Sequence, residues 1–256
     1  LVFAAFDGEE RGRAGSKSFV ARFAPAKLSA VNAALNFDTV GRLGSGKILI
    51  LGASSSDKWT YIMRGAGFVT GADYALVKED LDASDQMSFI EKGVPAVQFF
   101  SGPNADYHKF TDTPDKIDTA GLVKQAEFAK EIIEYLAGDS DFITRPAGAP
   151  AGAPAASHGG AAPGPRRVST GLVPDFTFEG KGVRAQDITP GSPLALAGVK
   201  PGSIIIEFNG RSIATLKDYS EALKTQDPGT KVPVTIMTLD PLGIVAHTTK
   251  VEIELK

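Results

Sequence analysis

Two adjacent glutamates, Glu9 and Glu10, follow an apolar segment of six residues. No polar residue interrupts residues 1–6, which is typical of a buried central strand, so we predict a strand there. In a sheet covered by helices, ligands bind beyond the carboxyl ends of the strands, and both acids would lie at such an end. A solvated acidic turn is the alternative for a pair of this kind.

Asp38 and His108 also come after apolar segments. Asp38 follows residues 35–37, and His108 lies in a polar loop after residues 96–100. Taken singly, Asp38 also fits a helix cap or a turn, and His108 fits an ordinary surface position. Together with the glutamates they suit a divalent site of the zinc type, in which carboxylates and His bind the metal and a spare carboxylate acts as general base.

The elements that would position these residues alternate between strand and helix patterns over residues 1–145. Strand patterns cover residues 1–6, 35–37, 47–51 and 96–100. Helix patterns cover residues 15–23, 58–64, 85–92 and 119–136. Alternation of this kind indicates an α/β domain built around a layered sheet.

A change of composition separates this domain from the rest of the chain. Eighteen of the twenty residues from 146 to 165 are Pro, Ala or Gly. Such a segment buries too little apolar surface to offset its ordering entropy, so we interpret it as a flexible linker. Residues 166–256 then form a second domain.

The second domain has more strand character. Residues 203–208 lead into Asn209-Gly210, a tight-turn signal, and apolar residues alternate with charged ones at the C-terminus. Thr215 and Asp218 form a variant of the capping box, which predicts a helix over residues 215–225. This pattern predicts a small β-barrel with one main helix.

Composition excludes several classes of function. The 256 residues include no Cys and carry a formal net charge of -3, from 27 basic and 30 acidic residues. There is no basic excess for nucleic-acid binding, and no apolar run approaches the ~20 residues of a membrane span. Without thiolates, any metal must be held by carboxylates and His.

Residues 1–145 resemble the C-terminal two-thirds of a domain of peptidase family M28, the co-catalytic zinc aminopeptidases and their relatives. The motifs that carry the resemblance are Gly8-Glu9-Glu10 with Gly15-Ser16, residues 36–42, Ser84-Asp85, residues 93–96, and Asp106-Tyr107-His108 with residues 112–116. The resemblance implies a three-layer α/β/α zinc-exopeptidase fold, incomplete at its N-terminus. It also implies a hydrolase that cleaves N-terminal peptide bonds of peptides or proteins.

The resemblance assigns roles to the candidate residues. Glu9 is the general base that activates a metal-bound water, Glu10 and His108 bind one zinc ion, and Asp38 binds the other, with two zinc ions per complete domain. Asp112 would orient His108 through its second ring nitrogen, as carboxylates next to metal-bound His residues commonly do. A secreted, periplasmic or surface-associated location also fits the family.

Two departures from the family pattern change the expectation for this chain. A further His and a bridging Asp lie upstream of the opening strand in the family, and neither is present here. We therefore expect the chain by itself to bind zinc substoichiometrically and to be inactive. Gln86 stands where aminopeptidases of the family often have His.

Residues 166–256 resemble a PDZ domain of the bacterial type. The matching motifs are residues 182–184, 189–199 and 202–210. PDZ domains bind peptides by strand addition and hold a C-terminal carboxylate in a nest of backbone amides. The loop Gly171-Leu172-Val173 is the predicted cradle, although Pro174 lacks an amide donor. A purely structural role of this domain stays open.

Three functions remain in competition. The first is a zinc aminopeptidase whose PDZ module positions peptide or protein substrates. The second is a non-catalytic PDZ peptide-binding protein with a degenerate peptidase-like domain. The third is another reaction on the same scaffold, carboxypeptidase or glutaminyl cyclase, because a shared fold does not choose the chemistry.

Overall fold

The structure is a computed structural model of residues 1–256. It describes residues 1–23, 28, 30–77, 84–138, 143, 167–239 and 245–256. The chain divides into two compact units, one within residues 1–158 and one within residues 159–256. None of the helices in these ranges is long and apolar enough to cross a membrane.

The first unit contains a four-stranded mixed sheet in the order β1-β4-β2-β3. Pairs β1–β4 and β2–β3 are parallel, whereas β2–β4 is antiparallel. The strands are β1 (Ala34–Phe37), β2 (Ile48–Leu51), β3 (Tyr74–Val77) and β4 (Ala96–Phe100). Strands β2 and β4 are buried throughout because they are the central strands and both of their faces are covered.

Helices cover the sheet on both faces and give three layers. They are α1 (Ala14–Ala21), α2 (Lys58–Thr70), α3 (Gln86–Ile90) and α4 (Thr119–Gly138), and short 3-10 helices span Glu9–Arg11, Ala53–Ser55 and Pro114–Lys116. Apolar residues of α2 and α4, among them Trp59 and Phe128, pack on the Ile50 and Phe99 face of the sheet. On the opposite face, Asn36 of β1 donates a hydrogen bond to Gln86 of α3.

Most of the predicted elements are present in this unit, but the first one is wrong. Residues 1–6 form no strand, and Leu1 and Phe3 are each 87% exposed. A strand needs a neighbour for its backbone hydrogen bonds, and the sheet in the described ranges offers none to this segment. Strand β3 was not predicted, because an edge strand of four residues, mostly half-buried, gives a weak pattern.

The second unit is a sheet with the order β10-β9-β7-β6-β5, with β8 paired to β7. Its strands are β5 (Leu172–Pro174), β6 (Val183–Ile188), β7 (Ile204–Phe208), β8 (Arg211–Ser212), β9 (Lys231–Leu239) and β10 (Val245–Glu254), and its helices are α5 (Pro193–Leu196) and α6 (Leu216–Lys224). Among the described strands β5 and β10 share no ladder, but the Ser169 amide, just before β5, donates to the carbonyl oxygen of Lys256, just after β10, at 2.6 Å. The predicted small, strand-rich domain with one main helix, α6, is thus present.

Helix α6 confirms the predicted capping box. The Thr215 side chain accepts from the Asp218 amide at 3.1 Å, and the Asp218 carboxylate accepts from the Thr215 amide at 3.0 Å. The helix packs Tyr219 and Leu223 into the core of this unit, beside Phe208. The predicted linker, residues 146–165, lies outside the described residues, so the domain boundaries stay predictions.

Candidate functional site

Glu9 and Glu10 project from a tight turn. The 3-10 helix Glu9–Arg11 begins after Gly8 and ends before Gly12, and both glycines are left-handed, with φ values of 71° and 81°. The Arg13 amide donates to the Glu9 carbonyl oxygen at 2.7 Å and closes the turn. Glu9 is half-buried and Glu10 is exposed. The two carboxylates are thus held on a compact loop and not on an extended segment.

The turn brings Glu10 to His108, which is distant in sequence. Glu10 Oε1 lies 2.8 Å from His108 Nε2, and the two side chains are 73% and 55% exposed. The ring of Tyr107 stacks on the imidazole at a centroid distance of 3.9 Å. His108 has a left-handed backbone with φ 57°, which is uncommon outside glycine and found most often at constrained positions.

The Glu10–His108 pair fits two of the four positions around a tetrahedral zinc ion. Ligand atoms at the usual bond lengths of about 2.0–2.1 Å lie roughly 3.3 Å apart, so the pair needs to open by only about 0.5 Å. Both side chains are exposed enough for that adjustment. Within the described ranges, no group of three or more His, Cys, Asp or Glu residues converges on a metal position.

Asp38 follows β1 at a strained point of the backbone. Its amide donates to the Phe99 carbonyl oxygen at 3.3 Å, which extends the β1–β4 ladder by one residue. The Thr39 hydroxyl donates to Asp38 Oδ1 at 3.2 Å. Thr39 has φ 54°, and a left-handed conformation of a β-branched residue costs on the order of 1–3 kcal/mol. Asp38 therefore sits where the chain turns sharply, but in no cluster of metal-binding groups among the described residues.

The loop that carries His108 is held by an ion-pair network. Arg42 Nη2 lies 3.3 Å from Asp106 Oδ2 and also pairs with Asp112. Lys116 Nζ lies 2.8 Å from Asp106 Oδ1. The Lys116 hydrogen bond, aided by Thr111, lowers the pKa of Asp106 to about 2. Since both acids need a cation, Arg42 anchors this loop to the segment after β1.

Asp112 therefore pairs with Arg42 in this structure, and its role in orienting His108 stays a prediction. In the sequence, Arg42 stands only as the last residue of the motif 36–42, with no role of its own. The excess of Asp residues between Asp106 and Asp115 was the available signal, because buried or crowded carboxylates require a nearby cation.

The predicted peptide loop of the second unit is closely packed. Gly171 has φ 80°, and a Cβ there would lie 2.0 Å from Ser192 Cβ. Its amide donates to Ser169 Oγ at 3.2 Å, and the Leu172 amide donates to Thr170 Oγ1 at 3.4 Å. The Thr170 hydroxyl shares a buried hydrogen bond of 2.6 Å with Tyr219 of α6. The loop is thus tied to helix α6.

Strand β5, which contains Leu172 and Val173, forms one edge of the sheet of the second unit. After it, the Asp175 carboxylate accepts from Arg184 Nε at 2.9 Å and from Nη2 at 2.6 Å. Burial raises the pKa of Asp175, but the bonds from Thr177 and Arg184 outweigh it and the pKa is lowered. Strand addition requires an edge strand, and β5 is one.

Each of the two units is similar to known proteins. The model of peptidase family M28 matches residues 1–133, and that of the PDZ domain matches residues 184–237. Among curated relatives, serine protease HTRA3 of Homo sapiens is 34% identical over 55 residues, and the periplasmic pH-dependent serine endoprotease DegQ of Escherichia coli is 35% identical over 57. Each match covers 22% of this chain and 12% of the relative.

Solved structures of two aminopeptidases are also similar. The aminopeptidase of Aneurinibacillus sp. strain AM-1 is 23% identical, with a TM-score of 0.47 over 55% of this chain and 33% of that one. BSAP, a zinc aminopeptidase of Bacillus subtilis, is 20% identical, with a TM-score of 0.48 over 58% of this chain and 36% of that one. The chain thus spans about a third of the length of these enzymes. Because the family match extends over more than half of the 256 residues, the protein belongs to peptidase family M28.

Proposed function

We propose that this protein is a zinc-dependent aminopeptidase whose PDZ domain recognises peptides or protein substrates. The observation that carries the proposal is the approach of Glu10 Oε1 to His108 Nε2 at 2.8 Å. These residues are the pair that the family resemblance assigns to one zinc ion, and they come together from a turn and a loop that are distant in sequence. The left-handed backbones of His108 and Thr39, which is next to Asp38, give the same indication, because strained backbone is concentrated at functional sites.

Glu9 is the proposed general base. In a 3-10 helix, successive side chains point about 120° apart, so Glu9 and Glu10 face different directions and take different roles. Glu9 is the more buried of the two, and its carboxylate would accept the proton of the attacking water and return it to the leaving amine. Two zinc ions, one held by Glu10 and His108 and the other by Asp38, would supply the Lewis acidity that lowers the pKa of water and polarises the scissile carbonyl.

The geometry also predicts weak metal binding by this chain alone. A zinc ion with only two protein ligands would have to complete its coordination with water. Metal affinity depends on the number of ligands that the folded protein holds in place. Zinc is therefore expected at less than two ions per chain. Hydrolysis of aminoacyl amides by residues 1–256 alone is expected to be unmeasurable.

Zinc titration of the 256-residue chain tests the metal assignment. Glu10→Ala and His108→Ala should each weaken zinc binding by at least about tenfold, because each removes one of two ligands. Glu9→Gln should leave the affinity nearly unchanged. Glu127→Ala, which removes an exposed carboxylate from α4, is the matched control. Equal zinc affinity in the wild type and in both ligand variants would refute the assignment of Glu10 and His108.

Substrate assays of a complete M28 domain that includes this chain separate the reactions that one scaffold supports. An aminopeptidase releases the first residue of a peptide with a free amino terminus and ignores an acetylated one. A carboxypeptidase shows the reverse dependence on the two termini. A glutaminyl cyclase releases ammonia only from an N-terminal glutamine. Absence of all three activities in the presence of zinc would favour the non-catalytic peptide-binding protein.

The PDZ domain is the proposed peptide-binding module. Its edge strand β5 offers backbone groups for strand addition, and the loop at Gly171 with Leu172 and Val173 would receive a terminal carboxylate. The amides of Gly171 and Leu172 already bind hydroxyl groups of the loop, so a peptide must compete with Ser169 and Thr170. We expect binding to be weak for this reason.

A secreted, periplasmic or surface-associated location completes the proposal. The family resemblance favours it, and the curated relative DegQ is named as periplasmic. Fractionation of the source cells, with the protein detected by antibody, tests this location. Recovery in the cytoplasmic fraction alone would contradict it.

A further inference from the structure

A network of buried polar side chains surrounds helix α3. Its six most buried members are each less than 9% exposed, although all of them are polar or charged. They are Arg13, Ser16, Ser84, Asp85, Gln86 and Ser88. Buried polar groups are costly unless they are hydrogen-bonded, so a cluster of this size constrains the relative positions of the elements that contribute to it.

One side of α3 holds the turn of Glu9 and Glu10. Arg13 is 5% exposed, and its guanidinium donates to Ser88 Oγ at 3.1 Å and to Glu91 Oε1 at 2.7 Å. The Arg13 amide closes the turn on the Glu9 carbonyl oxygen, and its backbone is left-handed, with φ 63°. A single residue thus shapes the turn through its backbone and ties it to α3 through its side chain.

Ser16 adds a second tie on the same side. Its hydroxyl hydrogen-bonds to Asp85 and lies 2.8 Å from Ser88 Oγ. Asp85 precedes α3, and Ser16 belongs to α1, so the first turn of α1 and the start of α3 are joined directly. The Glu91 carboxylate pairs with the Arg13 guanidinium at 2.7 Å and offsets its charge in this weakly solvated region.

The other contacts of α3 reach the strand that leads to Asp38. Asn36 Nδ2 donates to Ser84 Oγ at 2.9 Å and to Gln86 Oε1 at 3.1 Å. Asn36 and Asp38 are two residues apart along β1 and its extension, so their side chains lie on the same face. The position of α3 therefore fixes the strand end from which Asp38 projects.

Stability alone does not explain Gln86. Its Nε2 is buried and has no hydrogen-bond partner among the described residues. A buried donor without a partner is unfavourable, and an apolar side chain of similar shape would avoid that cost. What Gln86 provides is an acceptor for Asn36, on the strand that leads to Asp38.

We propose that α3 is a spacer that sets the position of the Glu9–Glu10 turn relative to Asp38, with Arg13 and Gln86 as its positioning residues. The proposal rests on the assignment of Glu9, Glu10 and Asp38 under the proposed function. It adds that the Glu9–Glu10 turn and the strand end at Asp38 are joined through one buried helix. A substitution that loosens α3 on the side of the turn should therefore also loosen the strand end, and the reverse. Neither Arg13 nor Gln86 touches the metal or the substrate in this role.

Hydrogen exchange of the 256-residue chain without metal tests the spacer. The reporters are the amides of Arg13, Ala14 and Gly15, which close the turn, and the amide of Asp38, which binds Phe99. Arg13→Lys keeps the charge but loses the forked donor, and Gln86→Met removes one of the two acceptors of Asn36 while Ser84 remains. Arg13→Lys should speed exchange about tenfold at the turn amides and at least about threefold at the Asp38 amide. Gln86→Met should speed exchange about tenfold at the Asp38 amide and at least about threefold at the turn amides.

Ile90→Val is the matched control, because it removes one buried methylene from the same helix and leaves the polar network intact. It should change the exchange of all reporters by the same small factor. If Arg13→Lys and Gln86→Met act only at their own ends, or if Ile90→Val reproduces their pattern, α3 is not a spacer and the proposal is wrong.

Zinc titration of the same variants shows whether a failed result concerns the role of α3 or the proposed metal site. Arg13→Lys and Gln86→Met should weaken zinc binding by at least about threefold, whereas Ile90→Val should not. If the wild-type chain binds no zinc, the proposed metal site fails, while the exchange experiment still decides whether α3 couples the two segments.

Discussion

Gly171→Ala should strongly destabilise the second unit, while Gly191→Ala should not. Both glycines are left-handed, with φ values of 80° and 72°, so an alanine costs about 1–2 kcal/mol at either position from backbone strain alone. The surroundings differ. A Cβ at residue 191 meets nothing within 4 Å, but at residue 171 it would lie 2.0 Å from Ser192 Cβ and 2.1 Å from its Oγ.

Ser192 cannot move aside without a further loss. It is 8% exposed, and its Oγ caps α5 by accepting from the Ala195 amide at 3.3 Å. Loss of an N-cap costs about 1 kcal/mol, and forced overpacking costs about 1–3 kcal/mol. The expected destabilisation is therefore about 3–6 kcal/mol for Gly171→Ala, against about 1–2 kcal/mol for Gly191→Ala.

Urea unfolding of the whole chain measures both effects. Methyl NMR signals of Leu194 and Val199 report the core of the second unit. Fluorescence of Trp59, the single tryptophan, reports the first unit and serves as an internal control. The methyl transition of Gly171→Ala should move to much lower urea, and the fluorescence transition should stay in place. Equal shifts for the two alanine variants would refute the steric argument.

Four other predictions follow from the site, the charges and the composition. In a complete M28 domain that includes this chain, Glu9→Gln should lower kcat by at least ~100-fold with metal content nearly intact, measured by steady-state kinetics and metal analysis, and an active variant would exclude Glu9 as the base. The pKa of Asp106 is lowered from 3.8 to about 2, so its contribution to stability is present above pH ~4 and lost as the pH falls toward 2. Urea unfolding of wild type and Asp106→Asn should converge over that interval, and a constant difference down to pH 2 would contradict the ion pair with Lys116. A peptide with an apolar C-terminus should bind the PDZ domain more tightly as the acid than as the amide, by calorimetry, and equal binding would exclude the amide cradle. Limited proteolysis should cut first within residues 146–165, as mapped by mass spectrometry, and resistance of that stretch would show that it is packed.

The sequence motifs predicted that two residues of the candidate site, Glu10 and His108, lie together, but they predicted the secondary structure around these residues less well. Glu10 and His108 were paired through the family motifs, and the structure places them in contact. The turn that carries Glu10 was expected at the end of a buried strand, but residues 1–6 form no strand. Apolar composition shows that a segment prefers burial, but it does not identify the strand that would pair with it.

Local signals were reliable wherever the deciding interactions lie within a few residues. The capping box of Thr215 and Asp218 is an example, since both partners lie within one helical turn. The predicted tight turn at Asn209-Gly210 is another, since both residues have left-handed backbones, with φ values of 49° and 76°.

Only the tertiary structure decided which segments far apart in the chain make contact. The pairing of Arg42 with Asp106 and Asp112, and the burial of Arg13 against α3, join residues that are 64 to 78 positions apart. An arginine in a polar segment gives no local sign of its partner, because ion pairs and buried networks depend on how elements pack. The sequence by itself determined the family, the residue types of the candidate site and the local turns, whereas packing decided which of these side chains meet.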